Sequence, residues 1–304
     1  MDHVTKVGSP EWARLGATIP KRLIQTGRKF QPLINRAAMA NVRMLNPDFE
    51  YLFFDDLAVE KFFTEEFPEY RKVFERFQFP IQRYDFFRYL AVYRYGGFYL
   101  DLDVFLASGL SSLLNCSSVF PFEELTINEY LRDVQKMDWE IGNYAFGAVA
   151  GHPFLKAVIE NCVRAQEDPG WTKCMMRGTF GLMKSEYTIL NTTGPGLLSR
   201  TLAENPEIAK TVTVLFPDDV CDLEKWHRFG DLGVHLMGGS WRPRAQLLRR
   251  KLALYVEARK REQSLKYGLK LGKQRQHIGN ENSEISAEHR PAIKTESLVT
   301  VSEQ

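Results

Sequence analysis

Two aspartates one residue apart, Asp101 and Asp103, stand in the run Phe98-Tyr-Leu-Asp-Leu-Asp-Val-Phe105. On an extended chain both side chains leave the same face. Two carboxylates held that close repel, and folding them together is costly unless a cation lies between them. Oxygen donors of this kind select a hard ion, Mg or Mn rather than Zn. With several positions open, such an ion suits a diphosphate and neutralises charge that develops on a leaving group. The pair therefore predicts an enzyme with a divalent-metal centre. Upstream, Asp85 and Arg88 are three apart on a predicted helix and share a face. The competing readings are a solvent-facing turn for the aspartates, an ordinary helical salt bridge for Asp85–Arg88, and a core histidine for His235, which ends a late predicted strand.

The elements that must position these groups follow from periodicity. A helix ends at Gly96-Gly97 and a strand starts at Phe98. In that strand Tyr99, Asp101, Asp103 and Phe105 share one face, while Leu100, Leu102, Val104 and Leu106 take the other, toward the core. Before it, Lys21–Gln25 reads as a short buried strand stopping at Thr26-Gly27. Residues 33–45 have helical spacing at Leu33, Ala37, Ala40 and Met44, and Phe49–Phe54 is a second strand closed by Asp55-Asp56. Helices over 57–64 and 69–77 follow. This alternation predicts an α/β protein with a largely parallel sheet flanked by helices. In such sheets the ligand crevice lies outside the carboxyl ends of the strands, so Thr26-Gly27, Asp55-Asp56 and Asp101–Asp103 should converge on one edge. Further on, the pattern predicts a strand over 141–149, a helix from His152-Pro153-Phe154 to about Arg164, loops over 165–196, and a helix from Leu197. Strands at 212–216 and 233–241 complete the reading.

The chain has 304 residues, 44% hydrophobic and 26% charged, and a net charge of +2. That profile is globular, and the charge is too mild to point to nucleic acid. No run approaches the roughly 18 apolar residues needed to span a bilayer. Residues 1–16 lack a basic-then-apolar leader, so the expected compartment is the cytoplasm, or the Golgi if an anchor has been removed. The four cysteines show no metal-ligand spacing and read as buried thiols. From Ala245 the chain turns basic and amphipathic: Leu248, Leu252, Tyr255 and Val256 form a stripe among Arg249, Arg250, Lys251, Arg259, Lys260 and Arg261. A helix of that kind, over about 245–275, can rest on an anionic membrane. The polar tail over 276–304 is expected to be disordered.

At Asp85-Phe-Phe-Arg88-Tyr89, Gly96-Gly97 and Tyr99-Leu-Asp101-Leu-Asp103 the chain resembles the DXD sugar-binding region of glycosyltransferase family 32. Weaker likenesses follow in order: Ile19–Thr26, Asn46–Tyr51, Asn143, His152–Phe154, Thr193-Gly194-Pro195, His235 and Ser240-Trp241. The resemblance spans about residues 19–242 and implies a GT-A catalytic domain over 1–244. It also implies a GDP- or UDP-sugar donor, Mn or Mg, a glycan or lipid-linked acceptor, and transfer of a hexose with retention of configuration. In that scheme Asp103 ligates the metal. Asp101 reaches the ribose, or the metal through water. Asp85 and Arg88 hold sugar hydroxyls, with Asn143 nearby. Gln25, Thr26 and Tyr99 lie by the nucleotide, His235 is an extra metal or diphosphate ligand, and Ser240 and Trp241 close over the diphosphate. Three departures stand out: Tyr84 where the family has a small residue, no second histidine after His235, and Gly27 where many members carry a base-stacking Trp. A nucleotidyl- or phosphotransferase using the same carboxylates, and a non-catalytic carbohydrate-binding protein, are the other readings.

Overall fold

The computed structural model describes residues 18–176, 184–236 and 254–270. In chain order its elements are β1 (Arg22–Thr26), α1 (Leu33–Leu45), β2 (Glu50–Phe54), α2 (Asp56–Glu65), α3 (Arg71–Arg76), α4 (Pro80–Tyr95), β3 (Gly97–Leu100), β4 (Val104–Leu106) and β5 (Ser118–Leu125). There follow β6 (Trp139–Ile141), β7 (Ala145–Ala148), α5 (Pro153–Glu167), α6 (Pro169–Thr172), α7 (Lys184–Thr192), α8 (Pro195–Glu204), α9 (Pro206–Ala209), β8 (Thr213–Leu215) and β9 (Gly233–His235). Residues 254–270 are helical.

The main sheet runs β2-β1-β3-β7-β5-β6, with β8 parallel to β5. Its parallel half is β2, β1 and β3, with Leu23 beside Tyr51 on one side and Phe98 on the other. Long helical crossovers permit that half. After β3, short connections reverse the chain, and β7, β5 and β6 pair antiparallel. The sheet is therefore mixed rather than largely parallel. The strand expected over 141–149 breaks at 142–144 into β6 and β7, and β5 lies in a stretch without strand-like alternation. The segment 165–196 carries α6 and α7 where loops were expected.

Strand alternation divides two cores. Ile24 and Tyr99 face the one built by α4, α5 and α8, while Leu23, Phe98 and Leu100 face the other, under α1 and β4. α4 is buried along Asp85–Val92, which is why its aromatics Phe86, Phe87 and Tyr89 are packing groups. Gly96, at φ 64, ends the helix, and Gly97 starts β3 at φ 107. A Cβ on Gly97 would lie 2.7 Å from the Arg22 carbonyl oxygen, so only glycine lets β3 approach β1 here.

α1 corrects the periodicity reading. Its buried residues are Ala38 and Val42, whereas Leu33 and Met44 are 76% and 78% exposed and Ala37 and Ala40 are exposed too. Among the described residues no helix is long and apolar enough to cross a membrane.

Candidate metal centre

Strand β3 stops at Leu100, and Asp101–Asp103 form a turn before β4. The Val104 N–H donates to the Asp101 carbonyl (3.2 Å), closing the turn, and the Asp101 N–H donates to the Tyr144 carbonyl (2.7 Å). The expected strand through both aspartates is thus replaced by a tight reversal, and a shared strand face does not explain their proximity. The turn does, together with β9: antiparallel pairing sets His235 opposite Val104, and the Leu236 N–H donates to the Asp103 carbonyl (3.0 Å). His235 Nε2 lies 3.2 Å from Asp103 Oδ1, and the imidazole stacks on Tyr144 with centroids 4.4 Å apart. One ligand atom each from Asp101, Asp103 and His235 falls within 4.8 Å of the other two. Two carboxylates and an imidazole within that span fit a single divalent ion with about half of an octahedral shell open, and the nitrogen donor favours Mn over Mg.

Behind the turn lies a buried ionic network. Arg88 is 3% exposed. Its Nη2 is 3.1 Å from Asp85 Oδ1, and its Nη1 is 3.2 Å from Asp101 Oδ1. Nη1 also donates to the Asn143 carbonyl (2.8 Å), and the guanidinium carbon stands 4.7 Å from the Tyr99 ring centroid. Burial opposes the Arg88 charge, but Asp101, Tyr99 and Asp85 outweigh it and push the pKa up. Asp85, also 3% exposed, accepts from Thr193 Oγ1 (2.8 Å) and Asn143 Nδ2 (3.1 Å). Burial raises its pKa to about 6 against the pull of Arg88. Asp101 is raised too, chiefly by burial and by Asp103, while Arg88, His235 and the Tyr99 hydroxyl hold it down. Three carboxylates against one guanidinium, with His235 counted as neutral, leave a formal −2, the complement of a divalent cation.

The remaining expected residues divide. Gln25 is fully buried and braces the turn: its Nε2 lies 3.2 Å from the Leu100 carbonyl and 3.4 Å from that of Asp101, while its Oε1 accepts from Tyr51. Thr26 Oγ1 donates to the Phe54 carbonyl. Tyr99, placed by the resemblance beside the nucleotide, is 1% exposed, and its hydroxyl donates to Asp101 Oδ1 (2.8 Å). It supports the carboxylate from below. Asp85, Arg88 and Asn143 lie in the same supporting layer, nearly closed to solvent. Asp55 and Asp56 do reach the expected edge, but Asp55 caps α2 and Asp56 accepts from the Tyr84 hydroxyl (2.5 Å), a use for the large residue at 84. Ser240, Trp241, Leu248 and Leu252 lie outside the described residues. Tyr144 and Thr193 enter the site by pairings across 91 and 108 positions of sequence (235 − 144 and 193 − 85); the Thr193-Gly-Pro run before α8 was the one local sign.

Next to the centre, Glu123 Oε1 is 3.1 Å from His227 Nδ1, and Lys260 pairs with Glu124. Glu140 is raised to about 7, chiefly by burial and by Glu124. Lys260 belongs to the basic helix expected to face a membrane, and its charge is spent on this internal pair.

Residues 35–120 match the family described as "Glycosyltransferase sugar-binding region containing DXD motif". The chain is 28% identical to inositol phosphoceramide mannosyltransferase 3 of Schizosaccharomyces pombe over 189 residues, 62% of this chain and 46% of that one. It is 30% identical to mannosyl phosphorylinositol ceramide synthase SUR1 of Saccharomyces cerevisiae over 155 residues, 51% of this chain and 34% of that one. The chain thus spans less than half the length of these relatives. Among solved structures, PaToxG glycosyltransferase overlays with a TM-score of 0.41 at 15% identity, covering 64% of this chain and 74% of that one.

Proposed function

We propose that this protein is a metal-dependent, retaining hexosyltransferase, a reading supported by the match of residues 35–120 to a glycosyltransferase sugar-binding region containing a DXD motif. Its donor is a GDP- or UDP-sugar, with mannose the first candidate from the names of its relatives. Its acceptor is a hydroxyl of a glycan or lipid-linked glycan. The observation that carries the reading is the convergence of Asp101, Asp103 and His235 at the carboxyl edge of the parallel strands.

A divalent ion held there would supply charge neutralisation for the departing nucleoside diphosphate. Asp103, Asp101 and His235 would hold it. Tyr99 and Arg88 fix the Asp101 carboxylate, Asp85 and the Asn143 carbonyl fix Arg88, and Thr193 with Asn143 Nδ2 holds Asp85, so the donor set is oriented before substrate arrives. Asp85, enclosed by its own partners, is not presented as a covalent nucleophile. This favours attack by the acceptor hydroxyl on the face the diphosphate leaves.

Asp103→Ala is expected to abolish Mn-dependent release of nucleoside diphosphate while leaving the far-ultraviolet circular dichroism unchanged. A near-normal rate with unaltered metal dependence would overturn the site. Release of pyrophosphate instead of nucleoside diphosphate would favour nucleotidyl transfer, and an inverted anomer by NMR would overturn retention.

A further inference from the structure

The face of α1 that periodicity marks as apolar is turned to solvent, on a helix whose lead-in lies beside the candidate site. At about 100° per residue, Leu33, Ala37, Ala40 and Met44 fall within about 60° of one another, and all four are exposed. Phe30, 86% exposed, lies just before the helix and adds a further exposed apolar side chain. The link to the centre is close: a Cβ on Gly27 would lie 2.5 Å from Leu102 Cδ1, in the middle of Asp101–Asp103, and 2.7 Å from Gln31 Nε2.

Charge selects the occupant. Residues 27–45 hold Arg28, Lys29, Arg36 and Arg43 and no acidic residue, and all four cations are exposed. Arg36 sits about 70° around the helix from the stripe, placed to reach headgroups while the stripe enters the acyl boundary, whereas the Arg43 guanidinium rests 5.0 Å from the Tyr51 ring centroid. Arg28 and Lys29, just before the helix, add two exposed cations that an anionic surface would attract. The opposite face, through Ala38 and Val42, makes the packing contacts.

We propose that α1 and the segment before it form a docking face for an anionic lipid surface, which holds the donor site against the membrane plane. The inference goes beyond the glycosyl-transfer reading and is read out without activity. The full chain is to be co-sedimented with phosphatidylcholine vesicles with and without phosphatidylserine. Binding is expected only with the anionic lipid and is expected to weaken at high salt. Phe30→Ser with Leu33→Ser and Met44→Ser should lower vesicle partitioning at least tenfold. Arg28→Gln and Lys29→Gln should lower it about fivefold each. Because these side chains are exposed, their variants should keep the parent thermal midpoint. A fall of several degrees in that midpoint would show that another segment of the chain covers the stripe and would overturn the proposal. So would equal recovery with and without phosphatidylserine, or a dimer in light scattering that the same serines dissociate. Loss of binding in Leu265→Ser with Leu269→Ser, but not in the α1 variants, would transfer the membrane face to helix 254–270 and refute this one.

Discussion

Tyr99→Phe separates the role the structure gives Tyr99 from the role its sequence neighbourhood suggests. The hydroxyl donates to Asp101 Oδ1 at 2.8 Å, inside a site where the tyrosine is 1% exposed. A hydrogen bond to an ionised group contributes about 1.5–3 kcal/mol net. Phenylalanine fills the same space and leaves no donor stranded. Asp101, whose side chain is a quarter exposed, recovers part of the loss from water. Taking the lower end, about 1.5–2 kcal/mol, the affinity of the centre for Mn should fall about 10- to 30-fold, since 1.4 kcal/mol is a factor of ten. The same bond lowers the Asp101 pKa, so its removal should move the acid limb of the rate profile to higher pH. The assay is a Mn titration of nucleoside diphosphate release at saturating donor, repeated across pH, with donor KM measured at saturating Mn. The expected pattern is a raised Mn requirement with donor KM within about twofold of the parent, that ratio being below 0.5 kcal/mol. A raised donor KM with unchanged Mn affinity would put Tyr99 against the nucleotide and refute its assignment as a brace for Asp101.

Two further outcomes concern stability. His152, buried at the start of α5, accepts from the Phe154 N–H, and burial lowers its pKa from 6.5 to about 4. The contribution is fully present above pH 6.5 and is lost as pH falls from 6.5 to about 4, about 3 kcal/mol in all. His152→Asn keeps a capping oxygen and should flatten urea-midpoint loss between pH 6.5 and 4; an unchanged slope would refute the assignment. Gly97→Ala should cost about 2–4 kcal/mol, because φ 107 and the Arg22 carbonyl both exclude a Cβ; a urea midpoint equal to the parent would show that β1 and β3 can separate.

That Asp101 and Asp103 would lie together was legible because two acids amid strand-forming residues are hard to explain otherwise. The parallel half was legible too, since β1, α1, β2 and α4 each carry their own stop: Thr26-Gly27, Asn46-Pro47, Asp55 and Gly96. The turn at Asp101–Asp103 was missed because Phe98–Leu100 and Val104–Leu106 are strong strand formers on both sides, and propensity reads straight through a reversal that one hydrogen bond closes. β5 was missed because Pro121 and the Glu123-Glu124 pair spoil its alternation, while its neighbours β7, β6 and β8 all come later in the chain. The stripe on α1 was correctly periodic, yet periodicity reports that a face is apolar and not what it faces. Arg88 read as a helical partner of Asp85; its second partner, Asp101, follows from how α4 lies against β3, which only tertiary packing decides.

The pairing of β4 with β9 has a consequence for synthesis. Every strand of the main sheet is complete by Leu215, but His235 joins Asp103 only when β9 is laid beside β4. The candidate triad spans 134 positions (235 − 101), and the entropy of closing so long a loop is recovered only after the intervening sheet exists. A chain emerging from the ribosome therefore holds a folded scaffold with two acidic ligands before it holds the third. If the three side chains hold a metal as proposed, its capture follows the pairing of β9 with β4, and a chain cut before β9 should load metal poorly.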